Sequence, residues 1–262
     1  MEMKKEMTAS LLVIAAVLLV IGIATLASAA PVPPDSINVS DSQRRTELTD
    51  SGAPGKQVSA QAGNVTKLTI NVTTLTERWA GFYGNFSATI KLDDANNFSF
   101  YRWAGDVAAN GEVYAANKTV SNWTGIRCVN LSAAYPADAC DEAPDGSCLN
   151  IVDIETGFGM SRADGDSINN TFNAEKAEIT LDTVGTLNCS AVNLYVNNAS
   201  DASKGWNVTL LTENNTDTVV FGAKMRNGLL GYNNKAWDFQ LLAADNGDTA
   251  LPTTYFFYVE LA

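Results

Sequence analysis

Apolar and polar positions alternate most clearly within residues 79–103. Phe86, Ala88, Ile90 and Leu92 share one parity, and Asn85, Ser87, Thr89 and Lys91 share the other. A period of two marks a strand with one buried face. Asp93-Asp-Ala-Asn96 is turn chemistry, so residues 98–103 read as the returning strand of a hairpin. The same rule predicts strands over 68–72, 111–114, 177–182, 192–196, 206–210, 219–223, 237–241 and 255–261, with turns at 213–217 and 245–248. Residues 133–165, rich in Asp, Gly and Ala, read as loop, and nothing past residue 35 sustains a 3.6-residue period. Short, evenly spaced strands with turn signals between them predict an all-β fold, a β-sandwich of jelly-roll or immunoglobulin-like type.

The N-terminal region breaks this pattern. Lys4 and Lys5 precede an apolar run over 11–26 that ends in Ala27-Ser-Ala-Ala30, the layout of a secretory signal peptide over residues 1–30. Its apolar core is short for a spanning helix, so membrane contact is expected only transiently through this leader, with an uncleaved anchor as the rival. Pro31, Pro33 and Pro34 stop any helix from continuing. Residues 31–62 hold few large apolar side chains and read as a flexible arm or linker, or as an arm that orders against a neighbouring subunit. Residues 63–262 then form the β-sandwich domain.

Charge narrows the partners. Lys plus Arg number 17 against 29 Asp plus Glu, a net charge of −12. Nucleic acid and anionic membranes need clustered cations, so neither is expected. Histidine is absent, which removes the commonest general base and metal ligand. With no nucleophile elbow or phosphate loop either, the chain reads as non-enzymatic.

Export gives the asparagines a chemical meaning. Asn-x-Ser/Thr acceptor sequences occur at Asn38, Asn64, Asn71, Asn85, Asn97, Asn117, Asn122, Asn130, Asn169, Asn188, Asn198, Asn207 and Asn214. Chance would give about four, so the chain reads as a densely N-glycosylated surface. Cys128, Cys140, Cys148 and Cys189 form an even set in an exported chain, hence two disulfides. Local closure of Cys140 with Cys148 leaves Cys128 with Cys189 as the long bridge, and Cys128 with Cys140 is the main competitor. Carboxylates cluster at Asp138, Asp141, Glu142 and Asp145 and again at Asp164 and Asp166. They could hold structural calcium, but the spacing completes no loop motif, so solvated acidic loops are favoured and no cofactor is expected. Among the aromatics, Trp206 and Trp237 alternate with polar residues and read as core, whereas Tyr83 and Trp123 could be stacking platforms for sugar.

The segment Trp79-Ala-Gly-Phe-Tyr-Gly-Asn85, the closing Trp103, and the ending Trp237-Asp-Phe-Gln-Leu241 with Tyr255-Phe-Phe-Tyr-Val-Glu-Leu261 resemble secreted archaeal cell-surface and appendage proteins. The resemblance implies an extracellular glycoprotein of an archaeal cell with structural work and no catalytic residues. The sequence therefore predicts the subunit of an extracellular homopolymer (filament, tube, sheath or surface layer), assembled by strand donation from the arm. The alternative is a monomeric secreted carbohydrate-binding module acting through Tyr83 or Trp123.

Overall fold

The structure is a computed structural model, and it describes residues 30–43, 62, 64, 65, 67, 68, 70, 75–103, 111–129, 131, 151–173, 175–200, 203, 205–213, 216, 218–248 and 251–261. In chain order the strands are β1 (Trp79–Gly84), β2 (Ile90–Asp93), β3 (Ser99–Trp103), β4 (Gly111–Ala116), β5 (Ile126–Cys128), β6 (Glu175–Leu181), β7 (Gly185–Asn193), β8 (Tyr195–Val196), β9 (Ala199–Ser200), β10 (Asn207–Glu213), β11 (Thr218–Lys224), β12 (Leu229–Leu230), β13 (Ala236–Trp237), β14 (Phe239–Ala244) and β15 (Phe256–Leu261). Two short helices, Ile151–Gly157 and Ile168–Phe172, lie between β5 and β6.

An antiparallel sheet of order β15-β4-β11-β10-β7-β6 dominates, with β5 added to β10. Its central strands β4, β10 and β11 are buried on both faces, because odd and even positions enter different cores. Val113, Ala115, Val208, Leu210, Val219 and Phe221 face one core, which β1, β14 and both helices cover. Tyr114, Ala116, Leu211, Val220 and Tyr258 face the other, together with Ile179, Leu181 and Cys189 from β6 and β7. The fold is therefore all-β and sandwich-like, layered on both sides of one sheet.

The second core exists because the sheet curls back on itself. β7 pairs with the first half of β10, up to Ala191 opposite Thr209. Continued in register, Cys189 would face Leu211, but Leu211 pairs with Cys128 of β5 instead. There β7 leaves the plane and takes β6 with it across the face of β11 and β4. Two contacts mark the crossing. A Cβ built on Gly222 would collide with Ile179 Cδ1, and the Tyr114 hydroxyl reaches the Thr180 carbonyl at 3.2 Å. A disulfide joins Cys128 to Cys189 at the point of divergence. That is the long bridge of the favoured pairing, and it removes Cys128–Cys140. Cys140 and Cys148 lie outside the described residues.

Five sequence expectations change. Leu68 and Ile70 carry no strand and are exposed, and residues 71 and 72 lie outside the described set. Alternation alone does not make a strand where no ladder partner stands beside it. The 79–103 segment splits, because β1 pairs with β14 far along the chain rather than with its sequence neighbour. β2 and β3 do form a hairpin, but its apolar face (Ile90, Leu92, Tyr101 and Trp103) is about half exposed instead of buried. β7 starts at residue 185, not 192, since Gly185-Thr-Leu-Asn-Cys-Ser is too small-residue-rich to stand out. Finally, the 133–165 loop contains the helix Ile151–Gly157, whose Ile151 and Ile154 are buried. Seven residues are too few to display a period.

Candidate functional site

Ten of the acceptor asparagines are described. Asn38, Asn64, Asn85, Asn97, Asn188 and Asn198 are exposed, and Asn117, Asn122, Asn169 and Asn207 are half-buried. Asn71, Asn130 and Asn214 lie outside the described residues. Three of the half-buried ones share an arrangement. Asn117 Oδ1 accepts from Val219 N at 2.9 Å, Asn122 Oδ1 from Thr124 N at 3.0 Å, and Asn169 Oδ1 from Arg162 Nη2 at 3.1 Å. The oxygen is engaged in each, so the amide is oriented with its nitrogen, the atom that carries a sugar, turned from the bond. Asn97 and Asn198 sit at φ 66° and 64°, the left-handed tips of the β2–β3 and β8–β9 hairpins. Asparagine tolerates that backbone, which puts the side chain at a turn apex.

The arm meets the sheet at one rung. Val32 N donates to Val259 O at 2.9 Å and Val259 N donates to Val32 O at 2.8 Å. Val259 belongs to β15, an outer strand of the large sheet. Antiparallel alternation aims the outward groups of Phe257 and Leu261 along the same edge. Pro34, two residues on and at the place of the next rung opposite Phe257, lacks the N–H that this rung would need. Past it, Ser36-Ile-Asn-Val-Ser40 is a five-residue alternation with no strand partner among the described residues, its Ile37 60 % and its Val39 75 % exposed.

Close to this edge lies a seam of buried acids. Glu112 of β4 and Glu260 of β15 are register partners, both nearly inaccessible. The Tyr114 hydroxyl donates to Glu260 Oε2 at 3.2 Å, and Asp182 N donates to Glu260 Oε1 at 2.7 Å. Burial pushes the Glu112 carboxyl up to about 7. A backbone hydrogen bond from Thr180 opposes that shift, Glu260 adds to it, Lys224 opposes it and Asp182 adds to it. Burial and Asp182 push Glu260 upward as well, against the hydrogen bonds from Asp182 and Tyr114. Glu112 thus binds its proton more tightly folded than unfolded. Its contribution to stability is full below its ordinary value of 4.5 and disappears as pH rises through 7. Glu112→Gln should therefore stabilise the protein at pH 8 by about 2 kcal/mol, discounted for residual water access, and do little at pH 5. Thermal melts at the two pH values check this, and an equal change at both would contradict the seam.

The aromatic candidates separate. Trp123 is buried, with its ring 5.2 Å from Tyr114 and 5.1 Å from Tyr258, so it is core and no platform. Trp206 is core as expected, but Trp237 is only half-buried and joins Tyr83 at the surface. Asp164 accepts from Ser161 N and Asp166 from the Thr76 hydroxyl. Among the described residues no group of three or more acids or cysteines has metal-holding geometry. The Asp138–Asp145 cluster lies outside them. A cleft of about 240 Å³ is lined by Lys176, Glu178, Asn207, Lys224 and Arg226 among others, with Glu178 its one acid. The arm rung and the Tyr83–Trp237 cluster were not legible as sites, since both depend on partners more than 150 residues away. Comparison with protein-family models, curated proteins and solved structures finds no match.

Proposed function

We propose that this chain is the repeating subunit of an extracellular, N-glycosylated polymer on an archaeal cell, joined by its N-terminal arm. The observation that carries the reading is the single rung at Val32. The arm reaches the β15 edge, the pairing ends at Pro34, and Ser36–Ser40 is left as an exposed alternating segment with no sheet partner among the described residues. Exposed edges and unpaired strands complement one another by main-chain hydrogen bonds, which is how strand donation links subunits. In the polymer, residues 36–40 of one copy extend the sheet of the next. The uncovered face of the β2–β3 hairpin is a second contact surface, because exposed apolar patches of this kind mark interaction sites. Sugar acceptors at Asn85 and Asn97 bracket that hairpin and leave its apolar face to a partner. Partners are thus further copies of the chain and its own covalent glycans, and the work is structural rather than catalytic.

Replacing Ile37 and Val39 together by Asp tests the arm. Both side chains are uncovered in the single chain, so the melting temperature of the monomer should not change, while electron microscopy should show polymer lost. Polymers forming at the normal extent from the variant would overturn the arm mechanism.

A further inference from the structure

Tyr83 of β1, Tyr232 of the turn before β13 and Trp237 of β13 form one surface cluster. Ring centroids lie 4.8 Å apart for both Tyr83–Tyr232 and Tyr83–Trp237. The cluster is open, with Tyr83 41 % and Tyr232 52 % exposed. It is also held rigidly. The Trp237 indole N–H donates to Tyr232 O at 3.0 Å, and Gly231 N donates to Lys235 O at 2.8 Å. Gly231 lies so close to the Gln240 and Trp206 side chains that no Cβ fits there. The Gln240 amide, with its oxygen toward them, accepts from Trp206 Nε1 at 3.1 Å and from Tyr232 N at 3.2 Å. Three aromatic rings fixed in place with half their faces in water are costly unless something covers them.

The occupant is next in the chain. Exposure along residues 81–86 alternates, with Gly81, Tyr83 and Asn85 exposed and Phe82, Gly84 and Phe86 half-buried. Asn85 therefore shares the outward face of Tyr83, two residues or about 7 Å further along. Asn85 begins the acceptor sequence Asn-Phe-Ser. The backbone there is fixed as well: Asp238 N donates to Gly84 O at 3.0 Å and Phe86 N donates to Asp238 Oδ2 at 2.9 Å. A sugar chain leaving Asn85 starts beside the cluster, and tethering at that distance gives it a high effective concentration there. A pyranose ring has an apolar C–H face that stacks on an aromatic face while its hydroxyls stay in water, which fits half-exposed tyrosines. The amides of Asn233 and Asn234, exposed in the same turn, supply hydrogen-bonding groups for those hydroxyls.

We propose that the Tyr83–Tyr232–Trp237 cluster is the seat of the glycan carried on Asn85, whose first pyranose rings stack on the two exposed tyrosines. The assignment rests on glycosylation of the exported chain and is independent of polymer formation. The glycan becomes an ordered part of the surface layer over β1 and β14, and Asn85 becomes an acceptor with a structural task.

The test uses the full chain from its native host, kept monomeric, with mass spectrometry of occupancy at Asn85 as the first reading. Tyr232→Ala is then compared in the glycosylated chain and in an Asn85→Gln background by thermal unfolding. Tyr232 is remote in sequence from the acceptor site, so its replacement leaves the sequon intact. In the glycosylated chain the melting temperature should fall by about 2–4 °C more than in the Asn85→Gln chain, the shift expected for one stacking contact in a domain of this size. Sugar protons should also show aromatic ring-current shifts by NMR that vanish in Tyr232→Ala. Equal losses in the two backgrounds, with Asn85 occupied, would overturn the seat and leave glycosylation standing. An unmodified Asn85 would remove the premise and overturn the proposal from the other side.

Discussion

Replacing Cys128 and Cys189 together by serine should lower stability by about 4 kcal/mol, because the bridge closes a loop across a sequence separation of 61 residues. The entropy returned to the unfolded chain is only part of the effect. Cys128 occupies the place on β10 that β7 gives up, opposite Leu211, and the bridge pins both strands where they part. Without it, nothing covalent stops β7 from staying in register with β10, which would draw β6 off the second core. Denaturant titration should show a lower midpoint, and hydrogen exchange should show where the loss is concentrated. Amides of the β6–β7 hairpin should exchange much faster, while those of β4, β10 and β11 keep their relative order. Uniform acceleration would mean that the bridge acts through the unfolded chain alone. Unchanged stability would mean that the hairpin is held by Ile179, Leu181 and Leu187 without help.

The parts of this fold legible in the sequence are those whose partners are strands of the same kind. β10, β11 and β15 alternate strongly; β11 and β15 lie within a residue of where period two puts them, and β10 runs three residues past its expected end. What escaped was decided by distant partners. β1 reads as the start of a local hairpin, yet Trp79 to Gly84 pair with Ala244 to Phe239. No local pattern distinguishes those two outcomes. The Leu68–Ile70 alternation is as clean as that of β11, yet the described residues Leu68 and Ile70 lie in no strand, since propensity without a ladder is weak. The helix Ile168–Phe172 has only five residues, and its start is visible only in retrospect as the Ser167 side chain capping Asn170 N. The acceptor asparagines were legible as residues but not as geometry. That Asn85 shares a face with Tyr83 follows from strand parity alone, whereas the approach of Tyr232 and Trp237 required the fold. The disulfide could be narrowed to one favoured pairing because cysteine count and spacing limit the options, and a single contact then decided it.

Phe221→Ala should be the most damaging single substitution, costing about 3–5 kcal/mol. Phe221 is fully buried at the centre of β11. Its ring centroid lies 6.4 Å from Trp79, 6.0 Å from Phe172 and 6.0 Å from Tyr255. Those neighbours come from β1, the second helix and the approach to β15, so one ring ties β1 and the second helix to the large sheet. Trp79 has limited freedom to collapse into the space, because its indole N–H is held by the Asp166 carbonyl at 2.7 Å. The cavity therefore persists, which puts the cost in the upper part of the range for such truncations. Phe221→Leu keeps most of the volume and should cost less than half as much. Equilibrium unfolding of both variants measures the difference. A loss below about 1 kcal/mol for the alanine variant would show that the core closes around the gap and that β1 is not anchored through Phe221. The consequence reaches the surface, since β1 carries Tyr83 and leads directly into Asn85. Loosening Trp79 from below should raise exchange along β1 and β14 and weaken any coupling between Tyr232 and the Asn85 glycan.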